Sequence, residues 1–309
     1  MRKYEKLSKL SNNVINNYMV RNSKDQKEKF IDLMVNSIEK YDIPVYVENL
    51  TGKNKNIVVG DLLHANYVFT AHYDTPNTLF FIPNLCTPTN KFMFILYQLF
   101  VALIMILFGT IMGLILVGIY DEPTLFGFGI MFSSFLFVLQ MKVGVKNKNN
   151  FNDNTSGVIT LIELIKKFND IDRKDCAFIF FDNEEKGLKG SKEFFKHHTR
   201  IVREKVIINF DCVGDGDNIL LIQKNVRPTI LDSLDKQLIN EEKKLVIKNG
   251  KDCIYNSDHK IFPIHIGCMA CRYKKGIKYY TSKIHTNNDK ILDEENIVEI
   301  VDLFKDIEK

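Results

Sequence analysis

The chain has 309 residues, 45% of them hydrophobic and 26% charged, with 42 Lys+Arg against 38 Asp+Glu for a formal net charge of +4. That length can bury a sizeable core, and the composition excludes a disordered chain or a fibre. A charge of +4 over this length is too small to argue for a nucleic-acid partner.

The charge is unevenly spread. Phe92 to Met141 contains two charged residues, Asp121 and Glu122, so a uniformly soluble domain is not expected. The six cysteines (Cys86, Cys176, Cys212, Cys253, Cys268 and Cys271) are scattered, unlike a disulfide scaffold. The lone CxxC at Cys268–Cys271 has no second pair and reads as buried thiols rather than a structural zinc site. The first residues, MRKYEKLSKL, lack the apolar stretch of a secretory signal.

In chain order, residues 1–40 carry apolar positions at Phe30, Ile31, Leu33, Met34 and Ile38 among charges, which predicts helix. Short β-like runs follow at Ile43–Val47, Ile57–Val59 and Asn66–Ala71, the last leading directly into His72-Tyr73-Asp74. Phe92 to Tyr120 is then 29 residues without a charge. As a helix it would be about 43 Å long, more than the ~30 Å of a bilayer core. Asp121-Glu122-Pro123 is a polar, helix-breaking tip, and Thr124 to Met141 is a second uncharged run of about 27 Å. Residues 91–141 therefore read as a transmembrane helical hairpin (92–120 and 124–141) inserted into one discontinuous domain, 1–90 with 142–309. A buried core helix rarely lacks a polar face over such a length. Lys91 before the hairpin and Lys142, Lys146 and Lys148 after it place both flanks, and the discontinuous domain they belong to, on the cytoplasmic side. The cysteine usage fits that reducing compartment.

Beyond the Asn/Lys-rich loop Lys146–Asn154 the pattern becomes α/β. Helices are expected at Thr155–Phe168, Leu188–His197, Pro228–Asn240 and Asp293–Ile307. Strands are expected at Cys176–Phe181, Val206–Phe210, Ile219–Ile222, Leu245–Lys248 and Cys268–Tyr273. The alternation argues for a mainly parallel mixed sheet flanked by helices.

Acidic residues and histidines sit where these strands end: His72 and Asp74, Asp153, Glu184 and Glu185, Asp211, and His285 in a later loop. Open α/β sheets bind ligands at the carboxyl ends of their strands. Converging carboxylates resist ionisation unless a cation neutralises them, and a His/Asp/Glu donor set suits zinc or a related divalent ion. Singly, each segment could equally be a structural histidine, a solvated Glu-Glu pair or a turn aspartate.

Together and in order, the segments carry a family pattern. His72-Tyr73-Asp74, Asn152-Asp153-Asn154-Thr155-Ser156-Gly157, Asp182-Asn183-Glu184-Glu185-Lys186-Gly187-Leu188-Lys189-Gly190-Ser191, Asn209-Phe210-Asp211, Ser257-Asp258-His259 and Ile284-His285-Thr286-Asn287-Asn288-Asp289 resemble the motifs of the di-zinc aminopeptidase family of metallopeptidases, the bacterial leucyl aminopeptidase type, related to glutaminyl cyclases. The resemblance spans roughly residues 60–90 and 150–305. It implies a zinc exopeptidase-like fold with two zincs per chain. His72, Asp153 and Asp211 would hold one, and Asp153, Glu185 and His285 the other, with Asp153 bridging. Glu184 would be the general base and Asp74 would orient the His72 imidazole. Two such metals about 4 Å apart can share a hydroxide and polarise the scissile carbonyl. Tyr255, upstream of Ser257-Asp258-His259, could donate to the oxyanion or simply pack as an aromatic. One glutamate can face metal and the other substrate only if the backbone turns between strand and helix, which Gly187 and Gly190 would allow.

In the family the HxD and the bridging Asp are close in sequence, whereas here 81 positions separate His72 from Asp153 and the apolar hairpin fills most of them. The insertion thus joins two ligand-bearing loops, and the expected substrates are peptides that are hydrophobic or associated with the lipid bilayer. Glutaminyl cyclases lack the first His, so His72 favours a peptidase. A related carboxypeptidase, an N-acyl amino acid deacylase and a peptide-binding pseudoenzyme remain the alternatives. The pattern is silent on the oligomeric state.

Overall fold

In a computed structural model that describes residues 7–78, 84–171, 175–235 and 244–307, the amino-terminal amphipathic stretch forms two helices, α1 (Lys9–Asn17) and α2 (Lys24–Ile38). The single expected helix breaks because Ser23 caps α2 in a capping box with Gln26 and Arg21 turns wholly inward. The remaining elements are β1 (Val45–Glu48), β2 (Asn56–Val59), β3 (Tyr67–His72), β4 (Leu85–Cys86), α3 (Lys91–Tyr120), α4 (Leu125–Val143), α5 (Gly157–Asp170), β5 (Cys176–Phe181), α6 (Lys189–Val202), β6 (Val206–Phe210), β7 (Asn218–Lys224), α7 (Pro228–Asp235), β8 (Lys244–Asn249), β9 (His265–Lys274), β10 (Lys278–Ser282) and α8 (Glu294–Lys305). The end of the helix expected over Pro228–Asn240 lies outside the described residues.

One sheet of ten strands runs β1-β2-β5-β3-β6-β9-β10-β4, with β7 and β8 branching from β9. Its centre, β5-β3-β6-β9, is parallel. The flanks, β1, β2, β10, β4 and the β7–β9 pair, are antiparallel, and β8 is parallel to β7. The result is the mixed α/β sheet the sequence predicts, with more antiparallel pairing at the edges than the helix–strand alternation conveys. Every residue of β2, β3 and β5 is buried, as strands covered on both faces require. Side chains alternate across it. Tyr67, Phe69, Phe178, Phe180 and Ile208 join the core under α2, α5 and α8, whereas Val58, Val68, Ile179 and Ile207 meet Phe194 and Val202 of α6 on the other face.

Helices α3 and α4 project as an antiparallel pair around Asp121, which ends α3 in the left-handed conformation. They meet along small residues. A Cβ on Gly129 would lie 2.4 Å from the Gly113 backbone, and one on Gly109 would lie 2.6 Å from Ser133 Oγ. Gly109 and Gly113 form a GxxxG step and Gly129 and Ser133 match it, the spacing by which membrane helices approach closely. Their outer faces are apolar and exposed, including Phe92, Leu99, Leu114 and Met131. By length and composition α3 can cross a membrane; the apolar run of α4, Leu125–Leu139, is shorter.

The expected loop Lys146–Asn154 is anchored rather than free. Lys146 bridges to Asn77, Asn147 N–H donates to Pro76 O, and Phe151–Ser156 coils into a buried helical turn that feeds α5.

Candidate metal centre

The parallel strands β3, β5 and β6 end side by side, so the residues that end or follow them (His72, the Asp182–Glu185 turn and Asp211) enter one crevice. Asp153 comes from the turn before α5, and His285 from the loop after β10.

Three groups of donors converge, with atoms within 4.8 Å of one another: His72, Asp153 and Asp211; Asp153, Glu185 and His285; and His72, Glu184 and Glu185. Asp153 stands between the first two. Its Oδ1 is 3.5 Å from His72 Nε2, and its Oδ2 is 2.9 Å from His285 Nε2. His72 Nε2 also lies 3.8 Å from Asp211 Oδ1, and His285 Nε2 3.5 Å from Glu185 Oε2.

The shell around these donors explains the polar motif Asn152–Ser156, all of it buried. Asp289 accepts from the Asn152 and Asp153 N–H groups at 2.8 and 3.0 Å. Asn154 donates to Phe210 O and accepts from the Gly157 and Cys212 N–H groups, tying β6 to the start of α5. Gly157 is required there, because a Cβ would sit 2.4 Å from Phe210 O. The Asp153–Asn154 peptide bond is cis. Arg21 adds a clamp from the amino-terminal segment, donating to Tyr73 O and to Thr155 Oγ1 while its guanidinium lies over Phe30.

The Glu184–Glu185 turn is held from beneath. Asn183 takes a left-handed φ of 55°, and Lys27 Nζ meets Asp182 Oδ1 at 2.5 Å and Asn183 Oδ1 at 2.8 Å. The Asp74 carboxylate accepts from Glu184 N–H at 2.9 Å and from Glu185 N–H at 3.3 Å. Asp74 also adjoins the His72 imidazole. The His72 Nδ1 contact within hydrogen-bond reach is the Asp74 backbone carbonyl at 3.1 Å, with the carboxylate at 3.6 Å. Tyr255 is buried and packs as an aromatic, and its hydroxyl donates to Asp211 O at 3.2 Å.

The electrostatics are those of a cation site. Burial, reinforced by Asp153 against the pull of His285, pushes Glu185 up to about 8. Burial likewise lifts Glu184 well above the carboxylate range, with His72 opposing and Glu185 adding to it. Burial alone would lower His285, but Glu185 and Asp153 outweigh it and raise it to about 10. Carboxylates this crowded ionise together when a divalent cation neutralises them. Glu185 Oε1 is buried without a hydrogen-bond partner among the described residues, as a free ligand lone pair would be. The mixed N/O donor set fits zinc.

Sequence reasoning missed Arg21 and Lys27, which carry no motif and reach the site only through the fold. The Asn152–Ser156 shell had a signal: five polar residues lead directly into the apolar face of α5.

The model of peptidase family M28 matches residues 142–305. No curated protein matches the chain. Among solved structures, the LapA aminopeptidase of Legionella pneumophila is similar at a TM-score of 0.56 and 15% identity, over 95% of this chain and 67% of that one. A glutaminyl cyclase of Macrostomum lignano is similar at 0.55 and 11%, over 96% and 86% of the two chains. One from an Acidobacteriales bacterium is similar at 0.52 and 13%, over 96% and 89%. At these identities the likeness is one of fold.

Proposed function

The chain belongs to peptidase family M28 and is a metallo-exopeptidase; on that premise we propose that it is a two-zinc aminopeptidase anchored in a membrane by the α3–α4 hairpin. The observation that carries the reading is the Asp153 carboxylate, whose two oxygens face two different histidines. His72, Asp153 and Asp211 would hold one zinc, and Asp153, Glu185 and His285 the other. Zinc, when bound, polarises a scissile carbonyl and acidifies water beside it.

The protein's own groups do the rest. Glu184, outside both of those donor sets and beside His72, accepts the proton of the attacking water and returns it to the leaving amine. Asp74 fixes the backbone that aims Glu184 and Glu185. The acidic crevice suits a substrate's free ammonium, and the named aminopeptidase among the similar structures supports that choice.

The anchor is supported by the charge-free length of α3, its exposed apolar face and its small-residue seam. Its foot adjoins the site. Burial, then the charges of Asp211 and Asp153, push the Cys86 thiol up to about 12, and α3 begins at Lys91, five positions on. Hydrophobic or membrane-associated peptides are therefore the substrates this placement favours.

The test is a pair of fluorogenic substrates in detergent, an aminoacyl-coumarin and its N-acetylated analogue. Cleavage of the first and not the second is expected; equal cleavage, or cleavage of carboxy-terminal residues only, would rule out an aminopeptidase.

A further inference from the structure

On the β7–β9 side of Tyr255, away from the metal donors, lies a cavity of about 260 Å³ lined by Lys224, Lys251, Lys260, His259, His265 and Tyr255. We propose that this cavity binds the phosphate of an anionic phospholipid headgroup at the foot of the hairpin. The proposal rests on the membrane reading of α3–α4 above.

Three observations point to an anion. His259 is 1% exposed, yet neither ring nitrogen has a hydrogen-bond partner among the described residues. A buried imidazole left this way is destabilising unless something accepts from it. Its ring is held between Tyr255, stacked at 5.4 Å between centroids, and His265 at 4.9 Å, so it cannot turn away to find one. His265, also in the lining, meets Phe262 O through Nδ1. The lining contains three lysines and no carboxylate. Burial and then Asp252 raise the Cys253 thiol, with Lys248, Lys91 and Lys260 opposing them. The same surroundings, with burial first and then His265 and Lys260, hold His259 well below its usual range. Among the described residues the lining, with lysines and no carboxylate, suits a small anion.

The location selects a lipid. Lys91, the first residue of α3, donates to Lys251 O at 3.3 Å, and Ile254 N–H donates to Pro88 O at 2.7 Å, so the cavity wall is strapped to the hairpin foot. Asn90, the cap of α3, donates to Gly276 O and Ile277 O in the β9–β10 turn, which ties the same foot to the sheet. If α3 enters the bilayer, this foot lies at headgroup level, where each lysine near an anionic surface contributes about 1 kcal/mol, or roughly fivefold in binding.

The experiment uses the full chain reconstituted into nanodiscs of phosphatidylcholine, with and without phosphatidylglycerol, and native mass spectrometry of the lipids it retains. Wild type is expected to retain phosphatidylglycerol in preference to phosphatidylcholine. The surface double variant Lys251→Gln/Lys260→Gln should lose that preference by about 30-fold while hydrolysing peptide in detergent as wild type does. His259→Gln should also lose it. Entry into neutral nanodiscs with no phosphatidylglycerol preference, or equal retention by the double variant, overturns the headgroup site and leaves the anchor standing. Failure to enter any nanodisc overturns the anchor and the headgroup site together. Displacement of phosphatidylglycerol by millimolar inorganic phosphate at equal affinity would make the ligand free phosphate and overturn the lipid assignment.

Discussion

Glu184 and Glu185 are adjacent and chemically identical, and the turn that separates them divides their work. Glu185 Oε2 faces His285 across 3.5 Å, whereas Glu184 lies beside His72 and outside the two donor sets that share Asp153. Glu184→Gln should therefore lower kcat by about 10²- to 10⁴-fold, the usual contribution of a general base, with metal content unchanged. Metal analysis beside kinetics checks this; a variant that also lost metal would make Glu184 a ligand. Asp258 has a different signature. It is fully buried, with Oδ1 accepting from Ser191 and Oδ2 without a partner, and burial raises it to about 7 against the opposing pull of His72. A carboxyl whose folded pKa is raised contributes least when ionised, so the metal-free protein should lose stability as pH climbs from about 4 to about 7 and then level off. Asp258→Asn should remove the Asp258 share of that slope, and thermal melts in chelator across this range would show a gap from wild type that widens up to pH 7. A constant gap would mean that Asp258 is already charged. The proposed metal donors were legible in the sequence because each sits in a short motif at a strand end or in a loop. Asp74 was legible as a partner but not in its actual contacts, since which atoms it meets depends on the Asn183 turn. Arg21 was not legible at all.

At the level of elements, the central strands and α5, α6 and α8 follow from apolar runs and amphipathic spacing, within a few residues of their ends. β4 and β10 escaped because a two-residue bridge and the mixed run Lys278–Ser282 have no apolar signature and exist only through pairing with their neighbours. The hairpin was legible from its missing charges, but its seam was not, since only the packed pair shows which glycines face each other. That seam yields a controlled test. Gly129→Leu drives a side chain into the Gly113 backbone, whereas Gly118 has nothing within 4 Å of an added Cβ. The first should lower the melting temperature of the detergent-purified protein by several degrees and Gly118→Leu should leave it unchanged. Equal effects would mean that α3 and α4 do not pack through this face.

Across the whole molecule, the parallel centre of the sheet explains why motifs spread over more than two hundred positions meet: parallel strands present all their carboxyl ends on one edge. The family match begins after the hairpin, so His72 and Asp74 lie outside it and join the site only through β3. The insertion between His72 and Asp153 does not disturb that meeting, because Thr78, Pro76 and Asn77 pair with Val145, Asn147 and Lys146 and close the gap at the hairpin's base.

Metal stoichiometry tests the proposed two-zinc site most directly. Inductively coupled plasma mass spectrometry on detergent-purified protein, after zinc is resupplied and excess removed, should find two zincs per chain in wild type. Asp153→Ala, which removes the carboxylate shared by both donor sets, should hold fewer than one. Two zincs in both proteins would contradict the bridging role of Asp153, and none in wild type would contradict the metal centre itself.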